Sequence, residues 1–377
     1  MKQPQVPDFY SELIEQPLNR LVDEAQDAGK KALGYTCSYV PEPMLNVDGL
    51  FSVRLRAPGV SGTPMADTYL SSVICSYTRS ILEYALDFFY DNLDGWVFVS
   101  SCDHMRRLYD NLEYVVKPSF LHIMDVPHRS GEAAVKWQCE ELRMLAERLA
   151  AEYGVDMGEE SLRESIKRHN EYLALLRDLA KLRRRENPPL TGTQFHGLLT
   201  ACMVSPKWLV MDKLRSVVEQ LKASDDTVSD YRARLLLAGS NCDDPEYVRL
   251  VESVGGLVVA DRTCTGSIPA LRPVAEEGEP YENLARHTLS NISCPRMMEA
   301  HRDRVEEIRE AYHEYKADGV VLQTMKFCDT WGVESSPIVA ALRESGVPVL
   351  RLEREYGLSG EGQLTTRVQA FLESLGK

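Results

Sequence analysis

The sequence lacks the short motifs typical of nucleotide binding and of the common metal sites. It has no Gly-x-x-x-x-Gly-Lys-Ser/Thr loop and no Gly-x-Gly-x-x-Gly after a strand-like run, so it predicts neither bound ATP nor a dinucleotide. It also has no Cys-x-x-Cys and no His-Glu-x-x-His, which removes the usual zinc and ferredoxin signatures. Any site must therefore combine residues that are far apart in the sequence.

Long apolar runs and an excess of positive charge are also missing. No run approaches the ~18 apolar residues that cross a bilayer, and the first residues contain no signal-peptide core. The 43 Lys and Arg against 57 Asp and Glu give a formal net charge of −14. Nucleic-acid affinity depends on clustered basic side chains, so we expect no nucleic-acid partner. Because apolar runs and a signal-peptide core are missing, we also expect a cytoplasmic protein with no membrane partner.

The hydrophobic pattern predicts an α/β fold with two doubly wound parallel sheets and a helical insertion. Short apolar runs alternate with helical patterns in two stretches of the chain, and long charged helices separate them. A length of 377 residues exceeds one ordinary core. We therefore predict an N-terminal α/β domain at residues 1–130, a helical domain at 131–230 and a C-terminal α/β domain at 231–377.

The nine cysteines are better candidates for metal binding or catalysis than for disulfides, because a cytoplasmic chain is kept reduced. Four of them follow predicted strands: Cys37, Cys102, Cys264 and Cys328. The carboxyl ends of parallel strands are where ligands collect, so these thiols are expected at the edge of a sheet. A free cysteine is, however, also a common small buried hydrophobe.

Two further cysteines, Cys75 and Cys294, are predicted near helix starts, where the helix dipole lowers the pKa of a thiol and favours metal binding. Cys139 and Cys202 fall inside helices of the insertion and are interpreted as structural. Cys242 also follows a strand, but its turn is equally typical of a helix cap, so its place relative to the site stays open.

Two residues are candidates for proton transfer. His104 could donate protons, although a histidine exposed at a helix start is the alternative. Glu42, between two prolines, could act as an acid or base, although a solvated loop carboxylate is the alternative.

Five segments, in their order and spacing, resemble one known family. They are Gly34–Glu42, Ile74–Ser76, Ser101–Asp103, Lys326–Asp329 and Gly362–Phe371. From about residue 31 to the carboxyl terminus the chain resembles the 2-hydroxyacyl-CoA dehydratase / benzoyl-CoA reductase family, D-component type. The resemblance implies two Rossmann-like domains with a helical part, and a 4Fe-4S cluster on three cysteines that match Cys75, Cys102 and Cys328.

A branch of that family, the double-cubane cluster proteins, is similar to the chain at Cys37, Thr263–Gly266 and Ser293–Pro295. This similarity implies an 8Fe-9S double-cubane cluster on six cysteines: Cys37, Cys75, Cys102, Cys264, Cys294 and Cys328. The run at Pro43–Gly49 departs from the family pattern, which puts the placement of an acyl-CoA in doubt more than cluster binding.

The resemblance implies an oxygen-sensitive, homodimeric iron-sulfur reductase that acts on a small substrate with electrons from an ATP-hydrolysing iron-sulfur activator. One alternative is a 2-hydroxyacyl-CoA dehydratase or benzoyl-CoA reductase subunit with a single 4Fe-4S cluster that binds an acyl-CoA thioester, paired with a paralogous subunit. A non-enzymatic electron carrier and a metal-free α/β binding protein with incidental thiols are the others.

Overall fold

The computed structural model of the chain describes residues 1–291, 293–357 and 359–377. It contains two four-stranded parallel sheets covered by helices. The predicted fold class, α/β with two Rossmann-like doubly wound sheets, is confirmed.

The N-terminal sheet has the strand order β2-β1-β3-β4, and all neighbouring strands are parallel. Its strands are β1 (Lys31–Tyr35), β2 (Leu50–Arg54), β3 (Gly95–Val99) and β4 (Leu121–Met124). The first three are buried almost throughout, as expected for parallel strands covered on both faces. The sequence pattern did not predict β4, a short edge strand with only alternate residues buried.

The C-terminal sheet has the order β6-β5-β7-β8 and is also parallel. Its strands are β5 (Ala233–Gly239), β6 (Gly256–Thr263), β7 (Gly319–Met325) and β8 (Val349–Arg354). In each sheet the second strand in the sequence lies on one side of the first, and the third and fourth strands lie on its other side. The reversal points lie between β1 and β3 and between β5 and β7, where such sheets form ligand crevices at their carboxyl ends.

The helices follow the alternation that the sequence predicts. In the first part of the chain they are α1 (Ser11–Ile14), α2 (Arg20–Asp27), α3 (Ser76–Leu86) and α4 (Asp103–Asn111), with a π-helical turn at Leu112–Val116. The middle helices are α5 (Glu132–Tyr153), α6 (Glu159–Leu182), α7 (Gly192–Met203) and α8 (Lys207–Ala223). The last are α9 (Pro245–Ser253), α10 (Pro280–Asn291), α11 (His301–Glu314), α12 (Asp329–Glu344) and α13 (Glu361–Ser374).

Apolar cores join the three parts of the chain. One core combines β1 and β3 with residues of α5 and α10, so a segment from the last third packs on the N-terminal sheet. A second core belongs to α6, α7 and α8 and includes residues of α1 and α2. Because these cores cross residues 130 and 230, the domain boundaries predicted there stay a prediction. In the part of the chain that the structure describes, no helix is both long and apolar enough to traverse a bilayer.

Candidate functional site

The carboxyl ends of the two sheets meet at an interface. After β1, the Ser38 hydroxyl donates a hydrogen bond to the carbonyl oxygen of Cys264, which follows β6, at 2.7 Å. After β8, the Tyr356 N–H donates to the Ser76 hydroxyl at the start of α3, also at 2.7 Å. Residues that follow strands of both sheets are thereby held in contact.

Three of the six predicted thiols occupy equivalent positions at helix starts. Cys75, Cys102 and Cys328 are the residues immediately before α3, α4 and α12. All three belong to, or pack against, one apolar cluster that also contains Met325, at the end of β7. Cys75 was placed near the start of a predicted helix, and the structure confirms this position.

Backbone N–H groups from the first helical turn point at these three sulfurs. The donors are Thr78 for Cys75, Met105 for Cys102 and Trp331 for Cys328. Two threonine hydroxyls lie next to the sulfurs as well, 3.2 Å from Cys75 Sγ and 3.6 Å from Cys328 Sγ. Such donors favour a thiolate over a thiol.

The other three thiols lie in loops. Cys37 follows β1, Cys264 follows β6, and both Cys37 and Cys294 pack against the core around β1 and β3. The prediction that Cys294 lies near a helix start is wrong. Pro295 is in a turn, and α11 begins only at His301, after a 3-10 helix at Met298–Ala300.

Thiols from the two groups of three influence one another electrostatically. Charges on Cys75, Cys328 and Cys37 raise the pKa of Cys102, and charges on Cys37, Cys264 and Cys328 raise that of Cys294, after the larger effect of burial. Members of both groups of three are therefore within electrostatic reach of each other.

The remaining cysteines have other surroundings. After burial, Cys242 is influenced mainly by Arg354 and nearby aspartates, and it lies in the core formed by β5, α9 and α13. Cys202 is buried among the middle helices, and Cys139 is half-buried on α5. Cys242 therefore belongs to a different core from the six candidate thiols, but its N–H donates to the hydroxyl of Thr265, the residue after Cys264, at 2.9 Å, so it borders the Cys264 loop.

Burial raises the pKa of Cys75 and of Cys264 to about 11, and it also raises the pKa of Cys328. The expectation that a helix start lowers the pKa of Cys75 is therefore wrong for the chain by itself. Removing a thiolate from water costs more than the N–H donors return. A bound metal supplies the positive charge that reverses this balance.

The six candidate donors are cysteine thiols, which fit an iron-sulfur cluster by their chemistry. Within residues 1–291, 293–357 and 359–377, no three His, Cys, Asp or Glu side chains are close enough to hold one metal ion. Cysteine thiolates are the ligands that hold such clusters.

His104 is buried, with 6% of its surface exposed, so the alternative of a solvent-exposed histidine is wrong. Its Nδ1 accepts the Cys75 N–H at 3.2 Å, and its Nε2 lies 3.3 Å from Asp329 Oδ2. With Nδ1 as an acceptor, the ring carries a proton on Nε2, the nitrogen that faces the Asp329 carboxylate. His104 therefore connects the start of α3 to the start of α12.

Glu42 lines a pocket that Cys264 also borders. The Tyr35 hydroxyl donates to Glu42 Oε1, and Lys207 Nζ lies 3.7 Å from Oε2, so Glu42 is not a solvated loop carboxylate. Aliphatic side chains of α6 and α7 form much of the wall, with His169 and Arg54 among the polar groups. Burial lowers the pKa of His169 to about 3, so this ring is neutral near pH 7.

Sequence reasoning missed the buried arginines around the thiols. Arg54 lines the same pocket as Cys264, Arg296 donates to the Ser100 carbonyl at 3.1 Å, and Arg304 donates to the Cys294 carbonyl at 2.9 Å. Arg54 closes a strand that is mostly apolar, and this charge at a strand end was the available signal. A charged residue at a buried strand end needs a partner.

Comparisons with known proteins give a family and several relatives. The family model for 2-hydroxyglutaryl-CoA dehydratase, D-component, matches residues 37–375. The chain is 24% identical over 367 residues to the (R)-phenyllactyl-CoA dehydratase beta subunit of Clostridium sporogenes, covering 97% of each chain. It is 25% identical over 335 residues to a benzoyl-CoA reductase subunit of Thauera aromatica, covering 86% of this chain and 85% of that one. It is 23% identical over 361 residues to the lactoyl-CoA dehydratase beta subunit of Anaerotignum propionicum, covering 95% and 96%.

These relatives are named as subunits of dehydratases and of a reductase, so this chain is an enzyme of that kind. The family model extends from the first candidate thiol almost to the carboxyl terminus. The chain belongs to the 2-hydroxyglutaryl-CoA dehydratase D-component family.

Proposed function

We propose that this enzyme holds an iron-sulfur cluster between its two sheets and reduces a small substrate at low potential. The ligands would be Cys37, Cys75, Cys102, Cys264, Cys294 and Cys328, arranged as an 8Fe-9S double cubane. The observation that supports the proposal is the meeting of loops from both sheets: Ser38, next to Cys37, donates to the Cys264 carbonyl at 2.7 Å, and Cys328 packs on the apolar cluster of Cys75 and Cys102.

When bound, such a cluster supplies one-electron transfer at low potential. The N–H donors at the starts of α3, α4 and α12 stabilise the thiolate charge of three of its ligands. His104 fixes the orientation of the start of α3, and we also assign it as a candidate proton donor. Glu42, held by Tyr35 and Lys207 in the pocket beside Cys264, is the second candidate acid or base.

We further propose that the electrons come from a separate ATP-hydrolysing iron-sulfur activator. The sequence has no phosphate-binding loop, so this chain is not expected to hydrolyse ATP itself. The neighbours of Cys75 and Cys328 give the activator a surface to contact, since Val73 is 57% exposed and Phe327 is 43% exposed. We expect a homodimer, although the names of the relatives, each a subunit of a larger enzyme, support a heterodimer with a paralogous chain as the alternative.

The second candidate function is a dehydratase or reductase subunit with a single 4Fe-4S cluster on Cys75, Cys102 and Cys328. Two observations favour it. These three thiols alone share the helix-start position, and two relatives are named for acyl-CoA dehydration. In this case the other three thiols would not bind iron.

Iron and acid-labile sulfide analysis after anaerobic reconstitution tests both functions. The double cubane predicts about eight irons per chain and the single cubane about four. Cys264→Ala should lower the iron content in the first case and leave it unchanged in the second. Cys242→Ala is the matched control and should have no effect in either. Colourless, iron-free wild-type protein would contradict both and favour a metal-free binding protein.

A substrate-linked assay separates an enzyme from an electron carrier. The reduced protein is mixed anaerobically with candidate substrates, and its reoxidation is followed by absorbance. Reoxidation coupled to product formation, without another catalytic chain, supports the reductase. A protein that passes electrons only to partner proteins contradicts it.

A further inference from the structure

Arg54 is a buried cation without a carboxylate partner. It is 3% exposed, its Nη1 donates to Ser38 Oγ at 3.0 Å, and its guanidinium carbon lies 5.2 Å from the centre of the Tyr35 ring. Its Nε has no hydrogen-bond partner, and it forms no ion pair with any carboxylate in the described ranges. Since burying an unpaired charge is costly, an anion is expected beside it.

The acidic groups near Arg54 narrow the choice of that anion. They are Tyr77, Cys264, Cys37 and Asp243. Asp243 forms no ion pair with Arg54, and its Oδ2 accepts from the Tyr356 hydroxyl at 3.1 Å. The Tyr77 hydroxyl donates to the Leu55 carbonyl at 2.9 Å. Cys37 and Cys264 are the two of these groups that the proposed cluster would hold as thiolates.

A chain of hydrogen bonds connects Arg54 to the same two residues. Arg54 holds the hydroxyl of Ser38, which directly follows Cys37, and that hydroxyl donates to the Cys264 carbonyl at 2.7 Å. Arg54, Ser38 and Cys264 also line one pocket. The arginine on β2 is therefore linked to loops of both sheets at the point where these loops bring two thiols together.

We propose that Arg54 is the buried counter-charge of the Cys37 and Cys264 thiolates and a positioning residue for the metal cluster half that they hold. This inference rests on the proposed function. A buried cation and buried thiolates are each unfavourable alone, and each offsets the cost of the other. A fixed positive charge beside a cluster also favours its reduced state, so Arg54 raises the reduction potential.

The test uses three variants of the full chain, reconstituted anaerobically with iron and sulfide. Arg54→Met removes the charge with little change in length, Arg54→Lys keeps it, and Ser38→Ala removes the hydrogen-bond link but leaves the charge. Iron and sulfide per chain are counted, and the midpoint potential is measured by titration followed by electron paramagnetic resonance. Circular dichroism before reconstitution shows whether each variant folds, and Arg54→Gln replaces the methionine variant if that one does not.

We expect the uncharged variant to lose about half of the iron, or to keep all of it at a more negative midpoint potential. Arg54→Lys should restore most of the loss, and Ser38→Ala should change the potential less than Arg54→Met does. If wild-type protein binds about eight irons and the uncharged variant matches it in iron and in potential, this inference is wrong and the proposed function stands. If wild-type protein binds about four irons and the uncharged variant binds the same number, the inference is also wrong. Wild-type protein without iron overturns both.

Discussion

Replacing Arg304 by methionine should destabilise the chain by about 3–5 kcal/mol, because it removes one partner of a buried ion pair. Arg304 is 2% exposed, and its Nη2 lies 2.6 Å and 2.7 Å from the two carboxylate oxygens of Glu334. Its Nη1 donates to the carbonyl oxygens of Cys294 and Met297 at 2.9 Å and 3.0 Å. The change would leave a mostly buried carboxylate with only His301 as a partner and two carbonyls without this donor.

The same structure supplies a matched control and a rescue. On the same helix, Arg309 pairs with Glu306 at 2.6 Å, but both side chains are more than 40% exposed. Arg309→Met should therefore change stability by no more than about 0.5 kcal/mol. Adding Glu334→Leu to Arg304→Met removes the stranded negative charge, so the double variant should recover a large part of the loss.

Urea unfolding of the metal-free proteins, followed by circular dichroism, measures the differences. If the unfolding free energy of a variant depends on urea concentration with a different slope from the wild type, the variant has changed the compactness of the folded or the unfolded state. In that case only the urea concentrations at the midpoints of unfolding are compared. If Arg304→Met costs no more than Arg309→Met, the buried pair does not clamp the Cys294 loop. If the double variant is as unstable as the single one, lost packing and not the stranded charge explains the effect.

Three further predictions concern positions around the site. Gly266→Ala should cost about 1–3 kcal/mol, because its new Cβ would lie 1.9 Å from a buried carboxylate oxygen. Gly332→Ala is the control, because a Cβ added at this helical position would have no atom within 4 Å, so the variant should be as stable as the wild type or slightly more stable. Equal melting temperatures of Gly266→Ala and Gly332→Ala would contradict the prediction. His104→Phe keeps a ring but removes the acceptor of the buried N–H before α3, so a loss of about 1–3 kcal/mol is expected in the same unfolding assay. Burial, with a contribution from Arg148, lowers the pKa of His122 from 6.5 to about 4, so the unfolded chain takes up a proton that the folded chain refuses. The stabilising contribution of His122 is thus complete above pH 6.5 and falls by about 1.4 kcal/mol per pH unit as the pH drops toward 4. His122→Asn should flatten that dependence, and an unchanged slope would refute the assignment.

Much of the fold follows from local patterns in the sequence. The sequence pattern predicts helices at Asp103–Asn111 and Glu132–Tyr153, and α4 and α5 have these bounds, because each has a strong helical period and a clear first residue. Apolar residues at helical spacing also predict a helix over residues 69–91, but α3 begins only at Ser76. Leu70 and Val73 share the helical spacing, but Leu70 is buried before the helix begins and Val73 is exposed. Which of the two is buried depends on tertiary packing, and the spacing does not show it.

The sequence predicts that candidate thiols lie at the carboxyl edge of a parallel sheet, but it does not predict which residues they contact. Cys37 and Cys242 both follow strands of parallel sheets, and nothing local separates them. After β5 the chain turns at Gly239, with φ of +121°, where an added Cβ would lie 1.8 Å from the Gln323 carbonyl oxygen. This close approach to β7 directs Cys242 into the core, and it is a property of the assembled sheet.

Several of the links that hold the candidate thiols in place cross between parts of the chain that are distant in sequence. Ser38 bonds to the Cys264 loop, His104 reaches Asp329, and Arg296 donates to Ser100 after β3. Burial opposes a negative charge on Cys75 and Cys264, and the proposed metal cluster would supply the positive charge that makes them ligands. Such a cluster, bound to thiolates from both sheets, would add its binding free energy to the same interface that positions those thiolates. Assembly of the interface and formation of the proposed site would then be one equilibrium, and loosening any of these links should weaken iron retention before it unfolds either sheet.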